Sequence, residues 1–159
     1  MTIKGYIWPV ILVLMVLLLS VFLSKIKHTM VVHELSLALF TYRSNHNGVM
    51  PSTLTDLALF MDGNCDKGVS SRKRKAWSNF AYVSGVTTND PPTTLVLIDV
   101  PNRLLWRKGL VVNLGRGAFW TKNADLKRYL NEPWSHNSVD FRDAAALEDF
   151  KKRVKVVKP

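Results

Sequence analysis

Residues 5–24 read GYIWPVILVLMVLLLSVFLS and contain no charged side chain. A helix of this length extends about 30 Å, which is the thickness of the hydrocarbon core of a bilayer. A secretory signal peptide has an apolar core of roughly 7–15 residues and then a small-residue cleavage site; this stretch is longer and lacks such a site. The sequence therefore predicts a retained membrane helix. Charge does not decide its orientation, because Lys4 lies at one end and Lys25 and Lys27 lie at the other.

The helical pattern continues beyond the membrane stretch. No glycine or proline lies between Pro9 and Arg43, so one helix of about 35 residues is predicted, with Pro9 in its first turn. Past Lys27 one apolar stripe at helical spacing is formed by Val31, Leu35, Ala38, Leu39 and Tyr42. This stripe predicts that the second half of the helix packs on a globular domain. Asn47-Gly48 then ends the helix.

A second, short helix is predicted shortly after this turn. Ser52 or Thr53 is suited to cap its N-terminus, and Asp56 suits its first turn. Its apolar side is formed by Leu54, Leu57, Ala58 and Met61. Residues 62–71 are predicted to form a loop that runs into a basic cluster.

The period of the apolar residues then changes from helical to alternating. Strands are predicted at residues 80–83, 95–100, 110–114 and 118–120. Gly115-Arg116-Gly117 joins the last two strands as a hairpin. A closing helix capped by Thr121 or Asn123 follows.

The tail is predicted to form one more helix, over about residues 139–156, with Ser138 as its cap. The fold class is therefore α+β: a long N-terminal helix packed on a small antiparallel sheet of about four strands, with a C-terminal helix added.

Length and charge restrict the kinds of partner. The chain has 159 residues, and the part after the apolar stretch is enough for one domain. Its net charge of +10 suits an acidic partner such as lipid head groups, nucleic acid or an anionic polymer. Cys65 is the only cysteine, which excludes an intramolecular disulfide framework and a multi-cysteine zinc site.

Three stretches carry a family resemblance. Residues 37–57, LALFTYRSNHNGVMPSTLTDL, place a tyrosine, asparagines, a glycine and a proline around the end of the long helix. Residues 80–101 combine Tyr-Val-Ser-Gly with Asp-Pro-Pro and a strand that ends in proline, and residues 109–130 supply a final hairpin and helix. In these features the chain resembles type IV pilin-like proteins, and among them the pseudopilins of type II secretion systems.

The resemblance implies a structural subunit of a filament rather than an enzyme. A prepilin peptidase would cut between Gly5 and Tyr6, and the helix would pack on sister helices through Ile11, Leu14, Leu18 and Phe22. The implied partners are other pilin-like subunits, an inner-membrane assembly platform, the peptidase and membrane lipid. The implied location is the bacterial inner membrane, with one span and the domain on the periplasmic or extracellular side. No cofactor is implied.

The same resemblance divides the chain into four parts. These are a leader peptide (residues 1–5), a transmembrane helix (6–24), a pilin-like globular domain (25–132) and a C-terminal extension with an amphipathic helix (133–159).

Two features depart from the family pattern. The fifth residue after the cut is usually a glutamate that pairs with a neighbour's N-terminal amine, and here it is Val10, preceded by Pro9. Members of the family without this carboxylate resemble minor, tip-type subunits. In the final hairpin, Gly115-Arg116-Gly117 stands where the related branch has Asp-Gly-His, so no function of that motif is carried over.

Two clusters are candidate binding sites. Asp62, Asn64 and Asp66 alternate like the start of a calcium loop, but Lys67 and Lys73 stand where an EF-hand needs glycine and an acid, so a polar turn is the favoured interpretation over metal. The basic run, defined as Arg72, Lys73, Arg74 and Lys75, lies near aromatic residues and is a candidate polyanion site.

This run supports the alternative function: a non-processed, membrane-anchored protein whose basic domain binds DNA, lipid head groups or other polyanions. Nucleic acid is the less favoured of these partners. The sequence shows no metal-ligand spacing of histidines, nucleophile elbow or phosphate-cradling glycine loop. An enzyme is therefore not predicted.

Overall fold

A computed structural model describes residues 4–64, 68–100, 108–115 and 117–158 of the protein. The helices are α1 (Lys4–Asn45), α2 (Leu54–Asn64), α3 (Ser71–Trp77), α4 (Asn123–Asn131) and α5 (Ala144–Arg153). The strands are β1 (Phe80–Ser84), β2 (Leu95–Asp99), β3 (Lys108–Asn113), β4 (Ala118–Lys122) and β5 (Lys155–Val157). Two short 3₁₀ turns, Pro133–His136 and Ser138–Asp140, precede α5. The predicted α+β class, with one long N-terminal helix and an antiparallel sheet, is confirmed.

The first helix, α1, has 42 residues and is continuous, as predicted. It begins at Lys4, so Pro9 lies inside the helix rather than in its first turn, and the missing N–H of Pro9 removes one hydrogen bond without ending the helix. Residues 8–23, here called the apolar half of α1, are exposed along their whole length. By length and composition the helix is long and apolar enough to cross a bilayer.

In the described part of the chain the sheet has five strands in the order β4-β3-β2-β1-β5, and every neighbouring pair is antiparallel. The four predicted strands are present, and the fifth comes from the tail. In β5, Val157 lies opposite Tyr82 and Lys155 lies opposite Ser84 of β1. The strand count of about four was therefore one too low.

The predicted tail helix over 139–156 was wrong at both ends. Its start is later because Asp143, and not Ser138, caps the helix: the Asp143 carboxylate accepts a hydrogen bond from the N–H of Ala146 at 2.7 Å. Its end is earlier because Val154 leaves helical geometry and the chain continues as β5. β-Branched residues such as Val154 and Val156 favour extended backbone, and the free edge of β1 supplies the hydrogen-bond partners.

Both faces of the sheet are covered. Adjacent residues of a strand point to opposite faces, and Phe119 of β4 stacks on His136 of the 3₁₀ turn while Trp120 lies against Lys25 of α1. The α1 helix therefore covers one face, and α4 with the following turn covers the other. Accordingly, all five residues of the central strand β2 are buried.

Of the two predicted caps at α2 and α4, only the first is present. Thr53 caps α2 as expected, since its hydroxyl accepts from the N–H of Asp56 and the Asp56 carboxylate accepts from the N–H of Thr53 in return. The N-cap residue of α4 is Lys122, whose side chain makes no capping hydrogen bond, so the expectation of a cap by Thr121 or Asn123 was wrong.

The segment predicted as a loop is partly helical. The α2 helix continues to Asn64, and the basic run forms α3 with Ser70 as its cap, where the hydroxyl accepts from the N–H of Lys73. Cys65, Asp66 and Lys67 lie outside the described residues.

Arg153, at the end of α5, binds the C-terminal segment to the rest of the domain. Its guanidinium donates to both carboxylate oxygens of Asp90, at 2.8 and 3.2 Å, and to the carbonyl oxygen of Gly85. The Asp90 side chain is only 6% exposed. Gly85 has φ +82°, and a Cβ there would lie 2.5 Å from the carbonyl oxygen of Arg153, so only glycine fits this close approach.

This contact predicts the effect of removing Arg153. Arg153→Ala leaves the buried Asp90 carboxylate without its cation, and we expect a loss of about 2–3 kcal/mol in the free energy of unfolding. The measurement is chemical denaturation of the full chain in detergent micelles. Arg142→Ala serves as the control, because Arg142 is exposed and lines the same surface groove as Asp90 and Arg153. It should change stability by less than about 0.5 kcal/mol. Equal effects from the two variants would contradict the assignment.

Candidate functional site

Burial of α1 in the domain begins at His28, shortly after the exposed apolar half ends. Residues 8–23 are exposed, whereas His28 is only 5% exposed. From there on, α1 buries Val32, Leu35, Ala38 and Leu39 at helical spacing. The predicted packing stripe is therefore confirmed, and it begins one turn earlier than the sequence pattern indicated, with a histidine.

His28 is held by a carboxylate at the end of β2. Its Nε2 lies 2.9 Å from Oδ2 of Asp99, which is itself 7% exposed. The same carboxylate oxygen also accepts from the N–H of Leu110 at 3.4 Å. The imidazole stacks on Phe80, with the ring centroids 5.1 Å apart. This buried pair joins α1 to β1, β2 and β3 at the end of the domain nearest the apolar half.

The side of α1 opposite the buried stripe carries apolar residues of its own. Ile26, Met30 and Leu37, here called the outer stripe, are 36%, 62% and 62% exposed and are separated by four and seven residues. They continue the line of the predicted packing residues Ile11, Leu14, Leu18 and Phe22, which are all exposed. One apolar line therefore runs from the apolar half to Met30, and Leu37 follows after a turn that carries the exposed His33 and Glu34.

A groove lies between the outer stripe and β4. It has a volume of about 500 Å³ and is lined mainly by apolar groups of Phe22, Ile26, Met30 and Trp120. Lys25 closes one side, with its ammonium 4.9 Å from the centre of the Trp120 ring. An apolar groove of this kind gives a neighbouring chain a place for its side chains.

The predicted processing residues lie at the start of α1. The backbone of Gly5 and Tyr6 belongs to the first turns of the helix. Cleavage between them stays a prediction.

The basic run is partly neutralised by the domain itself. Lys73 lies 3.2 Å from the carboxylate of Glu34 on α1, and Arg74 donates to the carboxylate of Asp62 and to the carbonyl oxygen of Val69. All four side chains of the run are exposed, but two of the four charges are paired in the described part of the chain. Polyanion binding by this run stays a prediction.

The weak metal candidates are not assembled in the part of the chain that the structure describes. Asp62 uses one carboxylate oxygen for the N–H of Val69 and the other for Arg74. Asn64 ends α2, and Asp66 lies outside the described residues. Within the described ranges no group of three or more potential metal ligands occurs.

The shifted pKa values belong to structural contacts. Burial raises the pKa of Tyr82 well above its usual value, and the phenol donates to the carbonyl oxygen of Pro51 at 2.6 Å. Hydrogen bonds from Ser52 and Thr53 lower the pKa of Asp56, and Asp90 raises that of Arg153. Each shift moves the pKa further from neutral pH. Tyr82 therefore stays neutral, Asp56 stays negative and Arg153 stays positive, and the three groups serve as partners in structural contacts.

Comparison with known proteins gives no relative. No family model, no curated protein and no solved structure matches this chain. The resemblance to pilin-like proteins therefore stays a prediction from the sequence features.

Sequence reasoning missed the residues at the junction. His28 precedes Val31 and Leu35 by three and seven residues, so helical spacing alone would have placed it on the buried stripe. Its partner Asp99 is 71 residues away, and no local pattern indicates that pairing.

The junction predicts a stability effect that depends on burial. His28→Ala leaves the Asp99 carboxylate buried without the imidazole that contacts it at 2.9 Å. We expect a loss of about 2–4 kcal/mol in the free energy of unfolding of the full chain in micelles. The matched control is His33→Ala, because His33 is exposed on the same helix. A His33→Ala loss as large as that of His28→Ala would show that the effect comes from the helix and not from the buried pair.

Proposed function

We propose that this chain is a single-pass, membrane-anchored, pilin-like structural subunit that assembles with other subunits through α1. The observation that carries the proposal is the exposed apolar line on α1 from Ile11 through Phe22 to Met30, with Leu37 two turns further on. A bilayer would cover the apolar half of this line, but the outer stripe extends beyond Lys25 and Lys27, alongside the domain. Apolar groups in that position are suited to contact with another helix.

Three further features support the proposal. The first is the junction Gly5-Tyr6, which matches the family's processing site. The second is that α1 is one unbroken helix, so its two halves move as one body. The third is the groove beside Trp120, which lies next to the outer stripe and gives room for side chains of a neighbouring helix.

Val10 refines the role within such an assembly. A repeating subunit of the family uses a glutamate at this place to pair with a neighbour's N-terminal amine inside the membrane, where an unpaired charge is costly. With valine there, the chain offers only apolar packing. We therefore propose a minor or tip-type position, with the domain on the periplasmic or extracellular side of the bacterial inner membrane.

Cross-linking tests the assembly surface. In a Cys65→Ser background, Met30→Cys and Leu37→Cys should each give a disulfide-linked dimer when the full chain is expressed in membranes. The matched control is Val139→Cys, which replaces an apolar residue that is 90% exposed on a turn outside α1. We expect little dimer from this variant. Similar dimer yields at all three positions would indicate random collision and would contradict packing through the outer stripe.

Processing is tested separately by intact mass. After co-expression with a prepilin peptidase, we expect the chain to have lost residues 1–5. Gly5→Leu is the control and should keep the full mass, because the residue before the cut is changed. A wild-type chain that keeps residues 1–5 would favour the alternative function, a non-processed anchored protein that binds anionic partners.

A further inference from the structure

The end of the domain nearest the apolar half of α1 carries four exposed lysines. Two of them, Lys25 and Lys27, lie on α1 within one turn of His28. The other two, Lys108 and Lys122, lie at the start of β3 and at the end of β4. These four residues are called the basic collar below. They are far apart in the sequence, and the fold brings them to one level.

Three observations place Lys108 and Lys122 at the same height along α1 as Lys25 and His28. Lys25 lies over the ring of Trp120, two residues before Lys122 in β4. A Cβ on Gly109, the residue after Lys108, would lie 2.9 Å from the Asp99 carboxylate that holds His28. Lys108 and Lys122 are direct cross-strand partners.

The two strand lysines also point the same way. Side chains two residues apart share a face of a strand, so Lys122 lies on the face of Trp120, which is the face that α1 covers. Directly paired residues share a face as well, so Lys108 lies beside Lys122. Like charges directly opposite each other in a sheet are destabilising, and an anion between or below them removes that repulsion.

The collar is not neutralised by the domain. Among the described residues, no carboxylate forms an ion pair with any of the four lysines, whereas Lys73, Arg74, Lys151 and Arg153 are each paired elsewhere. Of the carboxylates at this end, Asp99 is committed to His28, and Asp125 accepts from Thr121 at 3.4 Å. The positive charge of the collar is therefore available to an external anion.

We propose that the basic collar binds the head groups of anionic phospholipids in the leaflet on which the domain stands. The proposal rests on membrane insertion of the apolar half, which is part of the proposed function. Given that insertion, the head-group phosphates lie at the level of Lys25 and Lys27, and the sheet end with Lys108 and Lys122 faces them. Trp120 lies between these two pairs, as tryptophan does at membrane interfaces. The basic run on α3 is a poorer candidate, because Lys73 contacts Glu34, about 15 Å along α1 from Ser24.

The test measures lipid preference in the intact chain. The full chain is placed in nanodiscs containing equal amounts of phosphatidylglycerol and phosphatidylcholine, and lipids that stay bound on release are counted by native mass spectrometry. We expect the wild type to retain phosphatidylglycerol in preference to phosphatidylcholine. In Lys108→Gln/Lys122→Gln this preference should fall by between about fivefold and about 25-fold, since each basic residue near an anionic surface contributes about a factor of five and two are removed.

Two matched variants separate the collar from net charge. Lys152→Gln/Lys155→Gln removes the same charge at the other end of the sheet, where Lys155 lies opposite Ser84, and should keep the wild-type preference. Lys108→Arg/Lys122→Arg keeps the charge in place and should keep it too. An unchanged preference in the collar variant, or an equal fall in both glutamine variants, would overturn the proposal.

Failure of the proposed function gives a different result. A chain that stays out of the nanodiscs would overturn membrane insertion and this proposal together. A chain that enters the nanodiscs without lipid preference would overturn the collar alone and leave the assembly proposal as it stands.

Discussion

The buried contact between His28 and Asp99 fixes where the domain lies along α1. Because α1 is one helix, a sheet that binds it at a given residue is held at a given distance from the apolar half. The 2.9 Å contact supplies that register, and the stacked Phe80 adds apolar area to it. A shift of the sheet along α1 by one turn would leave His28 and Asp99 buried without each other. Since unpaired buried polar groups are costly, such a shift is strongly disfavoured.

The sequence predicts the elements whose pattern is local. The buried stripe of α1 and the Thr53 cap of α2 each follow from residues three or four positions apart, and the structure confirms both. The tail is different, because Phe150, Val154 and Val156 satisfy helical spacing in part and strand alternation in part. What decides the outcome is the free edge of β1 and the bond from Arg153 to Asp90, 63 residues away, and neither is visible in the tail itself.

For the candidate binding sites, too, the sequence is an incomplete guide, because the charges along the chain do not show which of them are paired in the fold. A run of four basic residues is conspicuous in the sequence, yet two of them are paired with Glu34 and Asp62. Lys108 and Lys122 are unremarkable in the sequence because they are separated by a hairpin and become neighbours only through the pairing of β3 with β4. Counting adjacent charges therefore identifies exposed segments, whereas the field at a surface depends on which strands are paired and which carboxylates are already in use.

The assembly surface and the basic collar meet at the groove beside Trp120, which Ile26 and Met30 line together with Lys25. Both proposals can hold for one molecule because Leu37 lies nine residues beyond His28, past the level of the collar. Ile26, Met30 and Leu37 are exposed on α1, and Lys25 turns toward Trp120 on the sheet. In the proposed assembly, a neighbouring helix packed at Met30 and Leu37 would leave the sheet end with Lys108 and Lys122 facing the bilayer. Contact between that end and anionic head groups would in turn restrict the tilt and rotation of α1, since the sheet is locked to it at His28. The lipid surface would then present the outer stripe in one orientation, which lowers the entropy lost when two such helices pack.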